Sequence, residues 1–250
     1  MSDTTLLAVL AHPDDEIGCA GTLLAQRARG DDVHVAWLTD GGMTEALGDL
    51  PPDEVAARRR DQAREAAELL DVEPHFLGLP DTGVVAGPEP AREVARLIAR
   101  TEPDGLLTFG RAWSRGLRHP DHQATGKIAR DAVTLARIRK RVAPEEPHRG
   151  FCPVFCFRDL HSSLPAVAVD VEPHLETMYE LGRFYRERVG FGDPEWIERR
   201  LRWIGDRWGV TYAEEWEAWE SEAGRVVDAL LPTEPATPPM PETRDGPVGG

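Results

Sequence analysis

Two short segments of this 250-residue chain carry most of its capacity for chemistry. One is His12-Pro13-Asp14-Asp15-Glu16, within "LLAVLAHPDDEIGCAG" (6–21). The other is His119-Pro120-Asp121-His122, within "RHPDHQATG" (118–126). Carboxylates crowded between two apolar runs repel one another, and burial is costly unless a positive charge sits among them. The first segment is therefore either solvated or the seat of a cation. In each segment residues three apart face the same way across one turn: His12 with Asp15, and His119 with His122. Brought together, the two segments supply three histidines and several aspartates. Two histidines and one carboxylate, with a position left open for water, form a common catalytic zinc set. A single His-Pro-Asp is ordinary turn and helix-cap chemistry. Two of them, both at strand ends, favour a metal.

That placement follows from the elements around them. "TTLLAVLA" (4–11) reads as a buried strand, and "IGCAGTLLAQRARG" (17–30) as a helix stopped by basic residues and Gly30. Strands are expected at 32–42, 74–81 and 104–110. Helices are expected between them, at 52–72 and 89–103, and after them at 121–141. Connections too long for hairpins make this a parallel sheet with helices on both faces, a Rossmann-like α/β fold. In such sheets ligands bind beyond the carboxyl ends of the strands, where both His-Pro-Asp segments fall. "PVFCFRD" (153–159) and "AVAVDVEP" (166–173) read as further strands. The chain then turns helical, with Asp193 capping and Pro194 opening one helix. Trp196, Trp203, Trp208, Trp216 and Trp219 are all placed on helices. One domain is expected over residues 1–231, followed by a disordered Pro-, Thr-, Glu- and Gly-rich tail over 232–250.

Composition narrows the function further. Hydrophobic residues make up 41% of the chain, and no apolar run is long enough for a membrane span. A net charge of −15 argues against nucleic-acid binding, which needs basic surface. Cys19, Cys152 and Cys156 cannot all pair, and no Cys-x-x-Cys spacing occurs. With no basic or apolar leader in "MSDTT", a reducing cytoplasmic setting is the expectation. No Gly-x-Gly-x-x-Gly follows the first strand, and acidic residues there would repel phosphate, which disfavours a nucleotide-binding module.

"AHPDDE" after the first strand, "TDGG" after the second, "LGLPD" after the third and "HPDH" after the fourth resemble the PIG-L/LmbE-like deacetylases. The match in motif order covers residues 5–126 and extends loosely to about residue 220 through "VDVEP" and "YAEEW". The resemblance implies a zinc-dependent hydrolase that removes the acetyl group from an N-acetylglucosamine-type sugar or its conjugate. It makes His12, Asp15 and His122 the metal ligands. It makes Asp14 the general base and His119 the group that stabilises the oxyanion or protonates the leaving amine. Iron(II) suits the same donors as zinc. The alternatives are an amidase acting on a larger N-acyl conjugate and a non-catalytic metal-binding module. The reading leaves room for a homo-oligomer.

Lesser roles are expected elsewhere. Asp121 either hydrogen-bonds a histidine ring or caps a helix. Glu16 is read as favouring a helix N-terminus through the dipole. Asp81 resembles a position that contacts sugar hydroxyls or supports the site, and Arg60 lies in "RRRD", where the family often has Arg-Arg-Glu. Leu117 stands where members acting on mycothiol precursors often have Tyr, which points away from that substrate. Arg111, Arg115 and Arg118 precede the second motif with no acid among them, so Arg115 and Arg118 are candidates for gripping an anionic group on the substrate. His34 and His75 are read as packing or surface residues.

Overall fold

The computed structural model describes residues 4–111, 118–159 and 161–237. Its first strand, β1 (Thr5–Leu10), is a continuous apolar run buried on both faces, as a central parallel strand must be. Leu6, Ala8 and Leu10 point into one core with Leu23, Trp37, Ala66, Leu70 and Tyr185. Leu7 and Val9 point into the other, with Val94, Ile98, Leu106, Ile128 and Ala132. This two-sided burial makes β1 the axis of the molecule.

After β1 come a short 3-10 turn (Asp15–Gly18) and helix α1 (Ala20–Ala28), then β2 (Asp32–Thr39), α2 (Pro52–Leu70) and β3 (Glu73–Leu79). Next are α3 (Pro88–Thr101), β4 (Gly105–Phe109), α4 (Pro120–Ala136), the single turn α5 (Arg139–Val142), β5 (Val154–Phe157) and β6 (Ala166–Asp170). Helices α6 (Leu175–Val189) and α7 (Pro194–Trp208) and strands β7 (Ala213–Trp219) and β8 (Val226–Val227) complete the described chain. The sheet order is β3-β2-β1-β4-β5-β7-β6-β8. The first five strands in that row are mutually parallel, and β7 runs antiparallel to both β5 and β6. The expected α/β class and mainly parallel sheet are what the chain forms. The chain moves outward from β1 to β3, then crosses back to lay β4 on the other side of β1. At that reversal the carboxyl ends of β1 and β4 lie side by side, the place where such sheets form a ligand crevice.

One expectation is corrected here. Trp216 and Trp219 lie on strand β7, not on a helix. The Ala and Glu residues of "AEEWEAW" carry little strand preference, but pairing to β5 and β6 on both sides overrides local propensity. The carboxylates of this strand are satisfied inside the protein. Glu214 accepts from Gly21 N, Thr22 N and Thr22 Oγ1 at the start of α1, and Glu217 accepts from Ser163 N and Leu164 N. Residues 234–236 bond to residues 220–222 through Glu222 N to Glu234 O and Ala236 N to Glu220 O. These backbone groups find partners that a polar composition does not reveal. Residues 238–250 lie outside the described residues. Among the described residues, no helix is long and apolar enough to cross a membrane.

Candidate active site

The crevice between β1 and β4 gathers both His-Pro-Asp segments. Its pocket, about 360 Å³, is lined by His12, Asp14, Asp15, Arg59, Asp81, His119, His122 and Phe191 among others. The loop after β1 is shaped by its own carboxylate. Asp15 Oδ2 accepts from Ala11 N at 3.0 Å and His12 N at 2.8 Å, which leaves Oδ1 to face His122 Nε2 at 3.1 Å. Burial works to raise the Asp15 pKa, but His122 and His12 outweigh it and hold the carboxyl below its ordinary range.

His12 is aimed by two carboxylates from other loops. Its Nε2 stands 3.2 Å from Asp81 Oδ1 and 3.2 Å from Asp121 Oδ2. A carboxylate on Nε2 fixes the proton there and leaves the Nδ1 lone pair for something else. Against the opposing effect of burial, Asp81, Asp15 and Asp121 raise the His12 pKa to about 9. A ring so enclosed by negative charge marks a place where a cation is favoured. His12 Nδ1 lies 3.3 Å from His122 Nε2 and 3.7 Å from Asp15 Oδ2. His122 Nε2 meets the other Asp15 oxygen, Oδ1, at 3.1 Å, so the three side chains converge at separations near the roughly 3.3 Å edge of a tetrahedron whose ligands lie about 2.0–2.1 Å from zinc. The donor set therefore fits a metal. Two groupings bring one donor atom from each residue within 4.8 Å of the others, His12–His119–His122 and His12–Asp81–Asp121, and Asp15 is in neither. The first shares His12 and His122 with the set above; in the second, Asp81 and Asp121 already engage His12 Nε2.

The second segment folds as a helix start. His119 is the N-cap of α4, and its Nδ1 accepts from Asp121 N at 3.2 Å. That bond places the proton of the neutral ring on Nε2. Burial, then His12 and His122, lowers the His119 pKa and keeps the ring neutral. Helix α4 reaches the strand end only because position 126 is glycine: a Cβ there would stand 2.3 Å from Phe109 O. The Phe109 ring stacks on His122 with centroids 4.3 Å apart and planes at 11°.

Asp121 is fully buried and joins three loops. Besides His12 it accepts from Thr82 N at 2.7 Å and Val84 N at 3.2 Å, beyond β3. It thus supports a histidine ring, and the capping role falls to His119. Asp81, from the same β3 loop, also accepts from Met43 N at 2.8 Å.

Asp14 is the unusual residue. Its φ of 102° lies in the left-handed region, which costs a non-glycine residue roughly 1–3 kcal/mol. Two partners hold it there. Glu16 Oε2 accepts from Asp14 N at 2.9 Å, and Arg59 donates to Asp14 Oδ2 at 2.7 Å and to Pro13 O. Burial raises the Asp14 pKa to about 7 against the pull of Arg59, with Asp15 and Glu16 adding to the rise.

Sequence reasoning missed three of these partners. The inward arginine is Arg59, 2% exposed. Arg60 instead lies at the surface, 3.5 Å from Asp40, because the next residue on a helix turns away from the core. The buried stripe of α2 at Val55, Arg59, Gln62, Ala63, Ala66 and Leu70 carries the signal that would have identified it. Glu16 is not an exposed helix-dipole residue: it is fully buried and accepts from Tyr185 Oη and from Trp37 Nε1 at 3.0 Å. Tyr185, from α6, had no local signal. Arg118 donates to Asp159 Oδ2 at 3.0 Å. Arg115 and Leu117 lie outside the described residues. His34 and His75 pair with each other, Nδ1 to Nε2 at 3.1 Å, among partly buried residues far along β2 and β3 from the crevice.

Comparison with known proteins agrees with this geometry. The chain is 27% identical over 219 residues to the diacetylchitobiose deacetylase of Thermococcus kodakarensis, covering 86% of this chain and 73% of that one. Its fold matches that of N,N'-diacetylchitobiose deacetylase from Pyrococcus horikoshii with a TM-score of 0.76, at 24% identity, over 86% of this chain and 83% of the other. It also matches 4-carboxy-2-hydroxymuconate hydratase from Pseudomonas putida KT2440, TM-score 0.73 at 20% identity, over 86% and 95% of the two chains. One fold thus carries different reactions, and the fold does not choose between them. The sequence model of the PIG-L family, described as GlcNAc-PI de-N-acetylase, matches residues 7–133, a span that runs from β1 into α4 and holds both His-Pro-Asp segments. On that match the chain belongs to the PIG-L family.

Proposed function

We propose that this protein is a metal-dependent N-deacetylase that releases acetate from amino sugars of the N-acetylglucosamine type. The observation that carries the reading is the convergence in one crevice of a two-histidine, one-carboxylate donor set with an unligated aspartate and a neutral histidine beside it. Its family membership and its likeness to a diacetylchitobiose deacetylase support the same choice.

In this reading His12, Asp15 and His122 would hold the ion, zinc or iron(II). Such an ion lowers the pKa of a water to about 7 and polarises the acyl carbonyl. Asp81 and Asp121 keep a proton of His12 on Nε2, so that Nδ1 would be its donor atom to the ion. Asp14 takes a proton from the attacking water, and a carboxyl with a pKa of about 7 is matched to that task. His119 offers its Nε2–H to the acetamide oxygen as that atom gains negative charge. The C–N bond then breaks, and Asp14 returns its proton to the departing amine. Products are acetate and the free amino sugar. Arg59 and Glu16 keep Asp14 in its left-handed conformation throughout.

The test is release of acetate and free amine from N,N'-diacetylchitobiose and from N-acetylglucosamine by protein of known metal content. The expected result is turnover that a chelator abolishes and stoichiometric zinc restores. Metal-loaded protein that releases acetate from neither sugar overturns the assignment.

A further inference from the structure

The rim of the catalytic pocket carries aromatic surface that the reaction just described does not use. Phe191 occupies the tip of Gly190-Phe191-Gly192, the connection from α6 to α7. Gly190 ends α6 at a φ of 73°, and Gly192 has a φ of 100°. A Cβ on Gly192 would stand 2.8 Å from Gly182 O and 3.1 Å from Ile17 Cδ1. The tip is therefore wedged between α6 and the loop that bears Asp14 and Asp15. It presents Phe191, 48% exposed, as a wall of the pocket.

Trp196, in the first turn of α7, extends this surface outward. Its ring centroid lies 6.0 Å from that of Phe191, with the planes at 52°, and the residue is 41% exposed. Helix α7 is tied to the same catalytic loop by Arg200, which donates to Gly18 O at 2.9 Å and places its guanidinium 5.9 Å from the Trp196 ring. Both aromatic rings are thus held by short connections to the residues that do the chemistry.

A pocket of about 360 Å³ lies near the small end for a ligand site and suits one hexosamine unit. Whatever is bonded to that unit must leave over the rim. Rigid aromatic rings supply large contact area at little entropic cost, and the C–H faces of a pyranose are the apolar surface such rings accept. We infer that Phe191 and Trp196 form a subsite for the second sugar ring of an oligosaccharide substrate, adjoining the ring whose acetamide reacts. This rests on the deacetylase reading above. The continuity of the aromatic surface with the pocket, through Phe191, favours this occupant over a second copy of the chain.

The experiment compares kcat/KM for N,N'-diacetylchitobiose and N-acetylglucosamine in wild type, Phe191→Ala, Trp196→Ala and Trp203→Ala. Trp203 serves as a control: it is 63% exposed on the same helix, but Arg207 lies 3.8 Å over its ring. Trp196→Ala is expected to lower the value for the disaccharide about ten-fold and to leave the monosaccharide within about two-fold; Phe191→Ala, at the pocket wall itself, is expected to lower both, the disaccharide more. Trp203→Ala is expected to change neither. Equal losses on both sugars, or none, overturn the subsite. A change in sedimentation mass in Trp196→Ala without a change in sugar preference also overturns it, in favour of a contact between copies. Calorimetric binding of both sugars, with Asp14→Asn as the common background, separates this inference from the reaction. If acetate is never released but the disaccharide binds more tightly than the monosaccharide, and Trp196→Ala removes the difference, the subsite stands and the deacetylase reading falls. If Trp196→Ala leaves binding unchanged, the subsite falls whatever the activity.

Discussion

The two His-Pro-Asp segments begin alike and fold differently. After His119 the chain enters helix α4 directly, His119 caps it, and Asp121 turns inward to full burial. After His12 the chain does not enter a helix. It places Asp14 at a φ of 102°, forms one 3-10 turn and starts α1 only at Ala20. The third residue of each motif thus meets opposite surroundings. Asp121 is surrounded by donors, Thr82 N, Val84 N and His12 Nε2, and braces the site. Asp14 keeps a quarter of its side chain exposed, 26%, and faces the pocket with one guanidinium for company. The same three letters produce a buried brace in one place and a partly exposed carboxyl facing the pocket in the other. The difference lies in what each loop packs against.

The largest effect should come from the residue that follows the second motif's aspartate. His122→Ala is expected to lose bound metal and acetate release together, measured by elemental analysis and by acetate assay. Full metal content at unchanged affinity would remove His122 from the ligand set. Next, Asp14→Asn should retain metal while turnover falls roughly 10²–10⁴-fold, the usual worth of a general base. Loss of metal in Asp14→Asn but not in Asp15→Asn would exchange the roles of the two neighbours.

A smaller effect is expected at Asp121. Asp121→Ala leaves the Thr82 and Val84 N–H groups without their carboxylate and frees the His12 ring. Metal affinity should weaken about 10–100-fold, and stability should fall by roughly 2–4 kcal/mol in urea unfolding. An Asp121→Ala protein as stable as wild type would make the brace dispensable and narrow the contrast with Asp14. The smallest effect concerns pH in metal-free protein. The folded state raises Asp14 from an ordinary carboxyl value to about 7, so it holds this proton more tightly than the unfolded chain does. The resulting contribution to stability is present below pH 4 and is lost as pH rises from about 4 to about 7. Asp14→Asn should therefore remove part of the decline in unfolding free energy between pH 5 and pH 7.5. An identical slope in both proteins would mean that Asp14 titrates as an ordinary surface carboxyl.

Much of the architecture around this site is written in local pattern. An uninterrupted apolar run such as Leu6–Leu10 has one home, the middle of a parallel sheet, and His-Pro right after it marks the strand end. Two such ends, each with donors three residues apart, identified His12, Asp14, Asp15, His119 and His122 as the residues the crevice gathers. The helical stripe that distinguishes Arg59 from Arg60 is equally local, and a closer reading of α2 would have found it. Glu16, Tyr185, Phe191 and strand β7 are of another kind. Nothing within a few residues of Glu16 announces that a tyrosine 169 positions away will donate to it. "AEEWEAW" looks helical until β5 and β6 offer it two sets of backbone partners. Periodicity and turn chemistry act over a few residues, and those are legible in order along the chain. Burial of charge, choice of partner and the walls of a pocket depend on which distant segments the sheet brings together, so those emerged only once the chain had folded.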